Sequence, residues 1–233
     1  MRKSEFSTGT TKSAEAAMRN SSLQDYYKSA KEWFLSSPYG YELVWQSNLN
    51  PNRISESNLL REHAWVVLNS GFKEAVVRKH FDFISLCFCD WESASEIVAH
   101  GNECIASAKT AFANSRKLDG ILRMSQLLCD EGTENVIGRI HRYGISELRG
   151  FPFIGKITCF HLAKNLGFDV SKPDRHLERL AKFYDFKDTT EMCEQISITS
   201  GDDRATIDLI LWRHLEQKPF KQIQNSSRPV APS

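Results

Sequence analysis

The chain contains no uninterrupted apolar run of the roughly 18 residues that a membrane helix needs. Its opening stretch, MRKSEFSTGTTKSAEAAMRNSS, lacks the apolar segment of a secretory leader. The expectation is a cytoplasmic protein with no membrane partner, nucleoid-associated if the source is bacterial. A dominant charge is missing too: 30 Lys+Arg against 29 Asp+Glu leave a formal net charge of +1. That balance excludes a highly basic chromatin-type chain and an acidic disordered one, and still permits a local basic face. No alternating strand of useful length and no internal repeat is present. The six cysteines (Cys87, Cys89, Cys104, Cys129, Cys159, Cys193) are scattered. Only Cys87 and Cys89 are close, and no His or Cys pair follows them at zinc-finger spacing. They read as reduced thiols, Cys87 and Cys89 as core residues, and no metal or cofactor is expected.

What is present is helix. The length, 233 residues, suits one sizeable domain or two small halves. LLREHAWVVLNSGF places Leu60, Ala64, Val67 and Leu68 on one face at helical spacing, and FKEAVVRKHFDFISLCF continues in the same period. SASEIVAHG, ECIASAKTAFANS, KLDGILRMSQLL and ENVIGRIHRYG follow, separated by Gly, Asp or Asn. The fold class predicted is all-α, with about ten short helices. Residues 1–22 and 224–233 read as tails, since neither carries an apolar stripe. SSPYGYELVWQSNLNPNR, near 36–53, reads either as a loop packed on the core or as a binding loop.

The informative segment is GFPFIGKITCFHLAKNLGFDVSKPDRHLERLAKFYDF, residues 150–186. ISELRGFPFIGKITCFHLAKNLG spells helix, tight turn, helix, with Pro152 and Gly155 in the turn. Backbone N–H groups at such a turn, beside the positive end of a helix dipole, suit a phosphate oxygen, and Lys156 adds a point charge. Read locally, a helical hairpin with a glycine is more often pure architecture. Gly167 stops the helix, FDVSK forms a short loop, and Pro173–Asp174 opens the next helix, where Asp174 suits an N-cap.

Taken together these residues resemble the helix-hairpin-helix Gly/Pro/Asp superfamily of DNA glycosylases, which includes endonuclease III and the alkyladenine and adenine glycosylases. The family pattern Leu-Pro-Gly-(Val/Ile)-Gly-x-x-Thr-Ala stands here as Phe151-Pro152-Phe153-Ile154-Gly155-Lys156-Ile157-Thr158-Cys159. Gly167 follows, then Lys172-Pro173-Asp174-Arg175-His176, with Arg179 and Leu180 in the usual continuation. The resemblance implies a two-lobed helical fold, with a central lobe over 53–168 that ends in the hairpin (146–167). A second lobe is assembled from 23–52 and 169–223. It implies a monomer that acts on double-stranded DNA carrying a damaged or modified base. Gly155, Lys156, Thr158, Lys172, Arg175 and His176 would meet the DNA backbone. Asp174 would be catalytic, stabilising the positive charge that a departing base leaves on the sugar.

Three departures accompany the match. The family's first hairpin glycine is Phe153, and the loop around Gly71 lacks the glutamine that many relatives insert into the duplex. The four-cysteine iron–sulfur loop is absent, since only Cys193 lies beyond the hairpin, so no cluster is expected. Keeping Gly155 and Thr158 in register puts Ile157 where strand-cutting members carry their Schiff-base lysine, which predicts a monofunctional enzyme. Counting back from Asp174 instead puts Lys156 at the lyase spacing. Glu62, Trp65 and Asn69, at i, i+3 and i+7 on one helix face, are candidates for the base pocket. Phe72 is the candidate wedge into the base stack; each is also readable as a core or ion-pair residue. From Arg139 to Lys187 there are ten Lys/Arg against five Asp/Glu, a local excess of positive charge where DNA would lie.

Overall fold

The computed structural model describes residues 8–218, and among these every regular element is helical: thirteen α-helices and two short 3-10 turns. No described helix is long and apolar enough to cross a membrane. The chain divides into two compact units: one from Asn48 to Val170, the other from the residues up to Ser47 with those from Ser171 onward. Each has its own hydrophobic core.

The continuous unit holds α3 (Glu56–Asn69), α4 (Glu74–Cys87), α5 (Ala94–Ala99), α6 (Gly101–Ala108), α7 (Ser115–Glu131), α8 (Thr133–Tyr143), α9 (Ile145–Leu148) and α10 (Thr158–Asn165). Its centre is α3, opened by Ser55, whose Oγ accepts the Asn58 N–H at 3.1 Å. Leu59, Leu60, Ala64, Val67 and Leu68 are buried along it, and it packs against α4, α7 and α10. Each Leu or Val side chain so removed from water contributes about 1.5–3 kcal/mol. The cysteines are all free thiols; Cys87 and Cys89 lie half-buried against this core.

The discontinuous unit holds α1 (Thr8–Ser36), α2 (Tyr41–Ser47), α11 (Arg175–Phe183), α12 (Thr189–Ser200) and α13 (Arg204–Gln217). Leu23, Tyr27, Ala30 and Phe34, at i, i+4, i+7 and i+11 of α1, are buried in its core. Two expectations are corrected here. Residues 8–22, read as part of a tail, belong to α1: the packed half supplies the nucleus, and the Ala-, Lys- and Glu-containing stretch before it extends the helix without an apolar stripe. The segment 36–53, read as a loop, contains α2. Residues 1–7 and the expected 224–233 tail lie outside the described residues.

Helix α2 escaped sequence reading because its polarity is inverted. Glu42 and Gln46 face inward while Tyr41, Val44 and Trp45 are exposed. Glu42 holds the buried Arg213 of α13 by two bonds, 2.8 Å to Nε and 2.5 Å to Nη2. The guanidinium lies 4.5 Å from the Tyr39 ring centroid and 4.6 Å from that of Trp212. Breaking one side of a buried pair strands the other charge. Glu42→Ala is therefore expected to cost about 3 kcal/mol in thermal unfolding; a loss below about 0.5 kcal/mol would mean that Arg213 is held by its other contacts.

Candidate functional site: the hairpin turn and the Asp174 cap

The hairpin is present as α9, a turn and α10, in a tight form whose first helix is four residues long. The Ile154 N–H donates to the Phe151 carbonyl at 3.0 Å, closing a β-turn with Pro152 and Phe153 in its centre. Phe153 has φ +62°. Proline fixes its own φ near −65°, so the pair has the signature of a type II turn, whose third position normally takes glycine. Phe153 thus takes the left-handed conformation that glycine adopts at no cost. The Phe153 ring finds room because α7 carries Gly120 beneath it: a Cβ there would stand 2.5 Å from Phe153 Cδ2. At the far end, Gly167 has φ +91°, and a Cβ would meet the Asn50 backbone nitrogen at 2.9 Å, so this helix stop admits only glycine.

The donors at the turn differ from expectation. Gly155 N–H does not face solvent freely; it donates to Thr158 Oγ1 at 2.7 Å. Thr158 is therefore a local brace, and its hydroxyl is committed to the turn. The N–H groups of Lys156 and Ile157 have no acceptor among the described residues, and both side chains are exposed. These two N–H groups and the Lys156 ammonium are what the turn offers an anion.

Asp174, in the other unit, is the N-cap of α11, which begins at Arg175. Its Oδ1 accepts the N–H of His176 at 2.8 Å and of Leu177 at 3.1 Å. Its Oδ2 makes no hydrogen bond within the described residues, so one carboxylate oxygen is fixed and the other is available. The loop before it is anchored by Lys172 N–H donating to Asp208 Oδ2 on α13 at 2.7 Å. Arg175 is exposed, and its Nε stands 3.4 Å from His176 Nε2. Capping by itself does not single Asp174 out, since Asp188 and Asp203 cap α12 and α13 in the same way.

The candidate base pocket is redrawn. Glu62 is buried with both oxygens engaged, by Arg61 Nη1 at 2.6 Å and Asn165 Nδ2 at 2.8 Å. It ties α3 to α10 from the interior of the unit, with both oxygens turned to protein partners. Burial pushes its carboxyl above the usual range, against the opposing pull of Arg61 and Asn165. Trp65 is not an open stacking platform: Phe81 meets it edge-on at 5.0 Å and the Arg78 guanidinium lies 5.3 Å from its ring. Asn69 Nδ2 donates to the Trp65 carbonyl at 2.9 Å. Only Phe72 reaches outward. It is 42% exposed, rests on Phe112 at 5.0 Å, and borders an open concavity of about 580 Å³ that includes His80, Asn114 and Arg116. Sharing one helix face did not give Glu62, Trp65 and Asn69 a shared task.

Three residues that sequence reasoning passed over hold this framework. Lys117 is buried and its ammonium donates to the carbonyls of Val67, Leu68 and Ser70, capping the end of α3 next to Phe72. Gly120, an isolated glycine in a helical run, was the legible hint of a close approach. His63 is fully buried on α3 and bonds the Pro152 carbonyl at 2.8 Å through Nε2.

Two outcomes are expected. Helix propensity alone makes Gly120→Ala stabilising by about 1 kcal/mol. With Phe153 above it the substitution should destabilise instead, and it should turn stabilising once Phe153→Gly is added; the same sign in both backgrounds of a chemical-denaturation cycle would contradict the packing. Burial lowers the His63 pKa from 6.5 to about 4. Between those values the unfolded chain binds a proton that the folded one refuses. Stability should therefore fall as pH drops from 6.5 to 4, by up to about 1.4 kcal/mol per unit. His214, lowered from 6.5 to about 4 by burial and Lys218, adds a slope of its own over the same range; His63→Gln should remove only the His63 share, and an unchanged slope would locate the titration elsewhere. Comparison with family models, with curated proteins and with solved structures finds no match to this chain.

Proposed function

We propose that the chain is a monofunctional DNA glycosylase: it turns a damaged or modified base out of duplex DNA and hydrolyses its N-glycosidic bond. The role is base-excision repair or defence against modified foreign DNA. The observation that carries this reading is the divided carboxylate of Asp174. Two helix N–H groups at the positive end of α11 hold Oδ1, while Oδ2 is left for a cation or a water. When the base departs with the bonding electrons, positive charge develops at C1′ and the ring oxygen of the sugar. An ionised carboxylate beside C1′ stabilises that charge and orients the water that completes hydrolysis.

The hairpin supports the reading from the binding side. The unpaired N–H groups of Lys156 and Ile157, with the Lys156 ammonium, form a compact anion site suited to a phosphate. Lys172, Arg175 and His176 add positive or proton-donating groups around the Asp174 cap. Phe72, half-exposed at the end of the α3–α4 connection, is the side chain shaped to fill the gap left by an extruded base.

Asp174→Asn is expected to retain duplex binding while base release falls by about a hundredfold or more; undiminished release would remove the catalytic assignment. Lys156→Ala should weaken binding alike on all sequences and lower the salt slope by about one unit, as loss of one phosphate contact does, and should still release base. Borohydride should trap no covalent adduct with the unsubstituted protein. An adduct that disappears in Lys156→Ala would make the enzyme bifunctional, with Lys156 as the attacking amine.

A further inference from the structure

A type II turn has one carbonyl, that of its second residue, pointing away from the turn's own hydrogen bond. Here that carbonyl belongs to Pro152, and it accepts from His63 Nε2 at 2.8 Å in the interior of the unit. A carbonyl only accepts, so Nε2 carries the hydrogen and His63 is in one defined tautomer. The other ring nitrogen, Nδ1, is buried without a hydrogen-bond partner. For packing alone an aliphatic or phenyl side chain would serve better, because an imidazole buried with one nitrogen unsatisfied opposes folding. What the histidine contributes is the bond to Pro152.

That bond matters because of what sits next in the chain. Rotating the 152–153 peptide plane by half a turn converts type II to type I and brings the third residue to negative φ, where a non-glycine residue is at ease. Glycine accepts the type II form unaided; Phe153, at φ +62°, does not. We propose that His63 is the positioning residue of the hairpin turn: by holding the Pro152 carbonyl inward it keeps the 152–153 peptide in the type II orientation that Phe153 would otherwise leave. The turn so held sets the path of Ile154–Gly155 and the aim of the Lys156 and Ile157 N–H groups. The link to DNA rests on the glycosylase reading; the conformational claim stands without it.

The test uses the full chain with His63→Phe, which keeps bulk and removes the donor, His63→Gln, which keeps a donor, and Phe153→Gly, which removes the need for one. In the absence of DNA, the Phe153 HN–Hα coupling and carbon shifts report the sign of φ. Amide exchange of residues 153–157 reports the turn, with α13 amides as the internal reference. His63→Phe should move Phe153 to negative φ and speed exchange in the turn at least tenfold, leaving α13 unchanged. It should weaken binding to a duplex carrying a tetrahydrofuran abasic analogue about tenfold. His63→Gln should retain the wild-type values, and adding Phe153→Gly to His63→Phe should restore them. Should His63→Phe fail to fold, rescue of folding by Phe153→Gly supports the proposal and failure to rescue overturns it. Persistence of positive φ in a folded His63→Phe, or a double variant no better than the single one, also overturns it. If the turn responds as stated while the unsubstituted protein ignores the abasic duplex, the positioning role stands and the glycosylase reading fails.

Discussion

The peptide plane between Pro152 and Phe153 is the constraint on which the hairpin turn of the continuous unit depends. A chain that keeps a type II turn but places phenylalanine in its third position must hold that plane from outside. It does so from two helices: His63 of α3 takes the carbonyl and Gly120 of α7 makes room for the ring. A conformation that glycine would hold unaided is here a matter of tertiary structure. The turn is therefore coupled to the core more tightly than a glycine turn would be, because core and turn lose their complementarity together.

The same economy runs through both units: polar groups placed inside, each with a stated task. Glu62 and Asn165 join α3 to α10, Lys117 closes the carbonyl end of α3, and Glu42 with Arg213 fixes α2 to α13. Such groups are poor sources of net stability, since the desolvation of each charge offsets most of its Coulombic gain. They specify instead which segment meets which. In the discontinuous unit this matters most at Lys172, whose N–H is held by the buried Asp208, because that bond anchors the loop from which Asp174 caps α11.

The sequence made some of this legible and hid the rest for physical reasons. Helical period exposed the all-α class, because amphipathic helices such as α7 and α10 bury one face. Pro152, Gly155, Gly167 and the Pro173–Asp174 pair exposed the hairpin and the cap, because those residue types have narrow backbone uses. The first half of α1 was hidden because propagation from a packed nucleus needs no apolar stripe of its own. Helix α2 was hidden because its buried face is polar. Spacing put Glu62, Trp65 and Asn69 on one face of α3 but could not say which neighbour each would meet; Asn165 is 103 residues from Glu62. Nor could it assign the Gly155 N–H, which depends on one rotamer of Thr158. The turn's donors moved one and two residues along, to Lys156 and Ile157.

The central claim is that this fold releases a base from DNA, and the most direct measurement is mass spectrometry of the small molecules set free from a panel of damaged and naturally modified duplexes. The account predicts an intact free base from at least one duplex, in equal amount to the abasic sites left in an otherwise uncut strand. Recovery of no free base from any duplex that the protein binds, or of a nucleotide in place of a base, would contradict it.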